Sequence, residues 1–121
     1  MVSQRKIGEI AEGLASEHLV RLGYKILNRN WVYGHLELDI VARDGDELVI
    51  VEVKSRNGLR YEHPSEAVTN AKIKRIVEAA DAYILKKNLT LETRFDVITI
   101  IFRGEENFEL EHFKDAFYPT L

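Results

Sequence analysis

Two carboxylates and an amine stand where apolar residues would be expected. Asp39 lies between Leu38 and Ile40, and Glu52 and Lys54 end the run Val49-Ile50-Val51-Glu52-Val53-Lys54. A charge carried into a buried strand costs several kcal/mol unless it is paired or bound to an ion. Two acids with a lysine two residues beyond the second suit a Mg²⁺-dependent phosphodiester hydrolase. Hard cations such as Mg²⁺ (or Mn²⁺) take oxygen ligands, typically one or two carboxylates with water and phosphate. Such a cation lowers the pKa of a bound water and stabilises charge at the phosphorus under attack. A neighbouring lysine can orient or deprotonate that water, or neutralise the developing charge. The competing account is an ion pair that serves only the fold.

The elements that must position these groups follow from periodicity. With a two-residue repeat, Val49, Val51 and Val53 take one face of a strand, and Ile50, Glu52 and Lys54 the other. Leu36 to Ala42 forms a strand before it, with Glu37, Asp39 and Val41 expected on one face. Asp44-Gly45-Asp46 supplies the turn, so the two strands should pair as an antiparallel hairpin that brings Asp39 within reach of Glu52. Upstream, Ser3 caps a helix to about Leu22, stopped by Gly23, with an apolar stripe of Ile7, Ile10, Ala11, Leu14, Ala15, Leu19 and Leu22. A weaker strand covers Tyr24 to about Trp31.

Downstream, Asn57 to Pro64 forms a polar loop. Ser65 or Asn70 caps a helix over 70–87, with a stripe of Ile73, Ile76, Val77, Ala80 and Ile84. Arg94 to Phe102 is a strong strand and Phe108 to Phe113 a short last one. The order predicts an α/β protein, a mixed β-sheet flanked by α-helices, with the 70–87 helix as a crossover between parallel strands.

Glu12 adds a third acid. At about 100° per residue it sits at the border of the first helix's apolar arc, whereas Glu9 points away and Glu17 lies at the opposite edge. Arg56 and Arg60 follow the Glu52 strand, and Lys72 and Arg75 share an edge of the second helix. These four are candidate phosphate contacts, giving salt-dependent and largely sequence-independent affinity. Trp31, Tyr33 and Tyr61 are candidates for base stacking. Of the four histidines, His18 reads as packing near the core, and His35, His63 and His112 as surface residues, with no metal-binding spacing among them.

The 121 residues, 45% hydrophobic, fit one domain over 1–121. There is no cysteine, which excludes disulfides, thiolate catalysis and zinc–thiolate sites. No apolar run approaches 20 residues and no leader pattern is present, so neither a membrane span nor a signal peptide is expected, and a cytoplasmic protein is. The net charge of −3 is uneven. An acidic tail over 104–121 carries five acids against Lys114, leaving 16 bases and 15 acids before it. Overall charge thus neither supports nor excludes a nucleic-acid partner.

A resemblance sharpens these expectations. Gly8, Glu12, Ala15, Leu19, Gly23-Tyr24, Ile26-Leu27 and Asn30-Trp31, then Glu37-Leu38-Asp39-Ile40-Val41-Ala42, Val51-Glu52-Val53-Lys54-Ser55-Arg56, Glu66-Ala67-Val68, Lys72 and Phe95-Asp96-Val97 resemble the bacterial YraN-type family. That family is itself similar to the PD-(D/E)XK nuclease superfamily, and to archaeal Holliday-junction resolvases in particular. One departure is Leu36, where the family usually has glycine before Glu37. The resemblance implies a restriction-endonuclease-like core. It matches Asp39 to the motif aspartate, Glu52 and Lys54 to the E-x-K, and Glu12 to the helix-borne acid of the resolvases. The metal set would be Asp39, Glu52, the carbonyl of Val53, and Glu12. The expected activity is a Mg²⁺-dependent endonuclease on DNA, with branched DNA a candidate substrate and a homodimer implied by kinship and small size. The alternative is a nucleic-acid-binding or protein-interaction module with an idle nuclease-like site.

Overall fold

The computed structural model describes residues 3–57, 68–104 and 106–118. Helix α1 (Gln4–Arg21) opens on Ser3, whose hydroxyl accepts from the Lys6 amide at 3.1 Å, and ends before Gly23, which takes φ +93°. Then come β1 (Lys25–Tyr33), β2 (Leu36–Asp44), β3 (Glu47–Asn57), α2 (Asn70–Lys87), β4 (Glu92–Phe102) and β5 (Phe108–Phe117). The cap of α2 is Thr69, whose hydroxyl accepts from the Lys72 amide at 3.2 Å. Asn70 is therefore the first helical residue rather than the cap, and Ser65 lies outside the described residues. Most of the expected polar loop lies outside them as well, and Asn57 still belongs to β3.

Among the described residues the strands form one sheet in the order β1-β2-β3-β4-β5. The β1/β2, β2/β3 and β4/β5 pairs are antiparallel; β3 and β4 are parallel, with α2 between them in the chain. A parallel pair needs a long crossover, and α2 supplies it. This is the mixed, helix-flanked α/β sheet of a restriction-endonuclease-like core.

Two apolar layers sandwich the sheet. Ala11, Ala15 and Leu19 of α1 pack on Ile40, Ala42, Val49, Val51, Ile98 and Ile100. Ile76, Ala79, Ala80 and Tyr83 of α2 pack on the other face, against Val41, Leu48, Ile50, Phe95 and Val97. Strand β4 is buried on both sides, hence its unbroken apolar run. The α1 stripe is narrower than expected. Ile10 and Leu22 are exposed, because the small Ala11 and Ala15 bring the helix close along a thin seam. Strand β5 extends four residues past Phe113, through a kink at Asp115 (φ +54°). None of the helices among the described residues is long and apolar enough to cross a membrane.

Candidate active site at the parting of two strands

The β2/β3 ladder runs from Asp44/Glu47 to Ile40/Val51 and stops there, although both strands continue. At the next level Asp39 replaces a backbone carbonyl. Its Oδ2 accepts the Val53 amide hydrogen at 2.9 Å. The strands part, and the two acids flank the opening.

The parting coincides with a reversal of side-chain alternation. Leu36 and Leu38 belong to the α2-side layer, and so does Val41, whereas Ile40 and Ala42 face α1. The expectation that Glu37, Asp39 and Val41 share a face is therefore corrected: Glu37 lies on the α1 side with Glu12. The cause is on β1. Arg29/Ile40 and Trp31/Leu38 pair on either side of Asn30 and Asp39, and Asn30 adopts φ +51°. A left-handed residue in a strand breaks the two-residue repeat. Asn28 and Trp31, three apart, consequently both face α2: Tyr83 donates to Asn28 Oδ1 at 2.7 Å and stands edge-on to Trp31 at 5.1 Å.

Glu52 is 6% exposed on the α2 side, as its strand face predicted, with Lys72 Nζ 3.7 Å from Oε2. Burial, then a hydrogen bond to Asp39 and the Asp39 charge, push its pKa up to about 9; Lys72 and Lys54 pull it down without prevailing. With its pKa raised that far, Glu52 keeps its proton at neutral pH, hydrogen-bonded to Asp39. Glu12 approaches from the α1 side. Its pKa is raised by burial, then by Asp39; Arg29 opposes this, Glu37 reinforces it, and a hydrogen bond to Asn30 opposes it. Glu12 Oε1 is buried without a hydrogen-bond partner. Asp39 is thus the shared neighbour, with Glu12 on one side and Glu52 on the other.

Among the described residues no three His, Asp or Glu side chains already form a metal cage. The donors nonetheless fit Mg²⁺ chemistry. A cation that needs only one or two carboxylates would replace the proton that Glu52 holds beside Asp39. Lys54, half-buried, acts on Glu52 by charge, and the main chain of Val53 lies between them.

The predicted phosphate contacts separate. Lys72 is drawn onto Glu52, Arg75 and Arg56 are exposed, and Arg60, with Tyr61 and His63, lies outside the described residues. Residue type and spacing alone do not mark Asn30 as part of the site. Its type signals only the backbone, since asparagine tolerates the left-handed region better than other side chains.

A second polar cluster lies towards the other end of α1. Asp96, 0% exposed, accepts from Arg94 Nε at 2.9 Å, Arg94 Nη2 at 3.1 Å, His112 Nε2 at 2.7 Å and the Asp115 amide at 3.0 Å. His112 Nδ1, on the other side of the ring, shares a hydrogen bond of 3.0 Å with His18 Nε2. His112 was expected at the surface; its side chain is 6% exposed, because β5 lays it against Asp96. Arg94 also donates to Asp44, Glu47 and Tyr24.

Sequence comparison meets this geometry from outside. Relatives include UPF0102 proteins of Bacteroides thetaiotaomicron, 48% identical over all of this chain and 99% of its own length, and of Bacteroides fragilis, 46% identical over the same shares. A Flavobacterium psychrophilum UPF0102 protein is 40% identical over 98% of each chain. The model for the uncharacterised protein family UPF0102 matches residues 11–100, which hold Glu12, Asn30, Asp39, Glu52, Lys54 and Lys72. The chain belongs to that family, as its resemblance to the YraN type implied.

Proposed function

We propose that the protein is a Mg²⁺-dependent endonuclease that hydrolyses phosphodiester bonds in DNA. The observation that carries the reading is the Asp39/Glu52 pair, two carboxylates hydrogen-bonded to each other at the point where β2 and β3 part. Asp39, Glu52 and the carbonyl of Val53 would hold the cation, and Glu12 would complete the set. When bound, the cation would supply a water more acidic than bulk water and a positive charge for the phosphoryl oxygens. Lys54 would orient the attacking water or offset the negative charge that develops at the phosphate. Lys72 keeps Glu52 from standing unpaired in the absence of metal. Asn30 steadies Glu12 through the side-chain hydrogen bond between them. Arg56, Arg60 and Arg75 would contact phosphates. Branched DNA is the favoured substrate and a homodimer the favoured assembly, since one copy this small covers little DNA.

The test is cleavage of duplex, single-stranded, flap and four-way DNA with Mg²⁺ or Mn²⁺, by wild type and Asp39→Asn. Cleavage by wild type alone, lost on chelation, supports the reading; no cleavage of any substrate with either metal overturns it. The net charge of −3 and, among the described residues, the lack of a preformed three-carboxylate cage favour a second reading, a binding module with an idle site. That reading predicts DNA binding that neither metal nor Asp39→Asn alters.

A further inference from the structure

Two adjoining grooves run along the flank of α1 that faces β1. The first, of about 490 Å³, is lined by Gly8, Glu9, Glu12, Asn30 and Glu37, with Arg5 at its edge. The second, of about 500 Å³, is lined by Gly13, Ser16, Glu17, Val20, Arg21 and Arg29. Their walls are continuous in the chain, since Glu12 precedes Gly13 and Arg29 precedes Asn30. Their charges differ: the first holds three acids and one arginine, the second two arginines and one acid.

In the second groove Ser16 Oγ is buried and makes no hydrogen bond, not even to the carbonyl one turn back that helical serines commonly use. It lies four residues from Glu12, whose Oε1 is also unpartnered. Four residues make one turn, about 6 Å along the axis, so both orphaned oxygens lie on one row of the helix. Gly8 belongs to that row too. The glycines at 8 and 13 weaken a helix, yet a Cβ at either would meet nothing within 4 Å. Packing within the chain does not require them; what they leave is room beside the groove. The corresponding groove on α2 offers less to an anion, since its one lysine, Lys74, is lined up with Glu78 and Asp81.

We infer that the α1/β1 groove binds a DNA strand, with a phosphate seated on Ser16, Arg29 and Arg21 one helical turn from the acid centre. The acidic half receives the cation and the basic half the neighbouring phosphate. Ser16, partly exposed as a residue, turns its buried hydroxyl out about χ1 and donates its hydrogen to a phosphate oxygen. Arg29 faces it from β1, and Gly13 lets the sugar–phosphate chain lie against the helix. Arg21 reaches it by leaving Glu17, a partner 3.7 Å away in an exposed pair that holds it weakly. This rests on the endonuclease reading for the nature of the ligand, but it assigns affinity, not cleavage, to these residues.

The experiment measures fluorescence anisotropy of a short fluorescein-labelled DNA strand and of its duplex, with Ca²⁺ in place of Mg²⁺, alongside thermal melting of each variant. Ser16→Ala removes an unsatisfied hydroxyl and Gly13→Ala a helix-weakening glycine, so both should melt at or above the wild-type temperature. Ser16→Ala should nevertheless weaken DNA binding about tenfold, the worth of a hydrogen bond to a charged group. Arg29→Gln should lower the slope of log affinity against log salt by roughly one. A purely structural role gives the opposite pattern, lower melting with unchanged affinity, and overturns the inference, as does wild-type protein that binds neither probe. Wild type that binds in this groove-dependent way yet never cuts would sustain the groove while sinking the endonuclease reading. Wild type that cuts while Ser16→Ala and Arg29→Gln bind normally would do the reverse.

Discussion

Asp96 and Glu52 are both acids buried in this sheet, and their surroundings differ in kind. Asp96 receives four hydrogen bonds, two from an arginine, one from a histidine and one from a main-chain amide. Burial raises its pKa, but the bonds from His112, Arg94 and the Asp115 amide outweigh burial and leave it lowered. Glu52 faces another carboxylate, has one lysine at 3.7 Å, and holds a proton far above the usual range. The first cluster is finished by the chain itself. The second is left wanting a cation. Matched charge marks a place that holds the fold; mismatched charge in a parted ladder marks a place for chemistry.

The largest effect expected of any single change lies at the finished cluster. Asp96→Asn strands Arg94 among buried groups and should cost about 3–5 kcal/mol in urea unfolding. A loss below about 1 kcal/mol would erase the distinction between the two acids.

Lys54→Met is its counterpart at the unfinished cluster. Unfolding free energy and metal binding should remain near wild type while cleavage falls by about 10²-fold or more. A variant that unfolds easily but, once folded, cuts at the wild-type rate would return Lys54 to the fold.

Acid and base titration should then separate the acids by sign. Glu52 has its pKa raised from 4.5 to about 9, so its contribution to metal-free stability is full below 4.5 and drains away as pH rises toward 9. Asp96 is lowered from 3.8, so its contribution is full above 3.8 and vanishes as pH falls through the folded value. Asp39→Asn removes the like charge that raises Glu52. It should leave metal-free stability level or higher, flatten the alkaline loss, and abolish stabilisation by Mg²⁺. Metal titrations that raise the melting temperature of wild type and Asp39→Asn equally would contradict this.

The smallest effect concerns the surface. Arg56→Ala and Arg75→Ala should each reduce the salt slope of DNA binding by roughly one. Unchanged slopes would remove both from the phosphate contacts.

What could be read in advance divides along the same physical line. Local chemistry was legible: the Ser3 cap, the Gly23 stop, the Asp44-Gly45-Asp46 turn, and the placement of Ile50 and Glu52 on one face all depend on residues near one another in the chain. The acid centre was legible in composition for the same reason, because charge inside an apolar strand is conspicuous. What escaped depends on backbone sign or on distant partners. No periodicity announces that Asn30 turns left-handed, or that β2 changes faces between Leu38 and Ile40. Lys72 looked like any helix-surface lysine until the path of α2 across the sheet brought it to Glu52. His112 looked exposed because its partner Asp96 is sixteen residues away and on another strand.

The bond from the Val53 amide to Asp39 gives the site a built-in isotope clock. That amide hydrogen belongs to a strand interior yet is held by a side chain, so its exchange with heavy water reports the carboxylate's position rather than global unfolding. Any event that pulls Asp39 toward a new partner must loosen this hydrogen, while the amides of the neighbouring strands keep their pace.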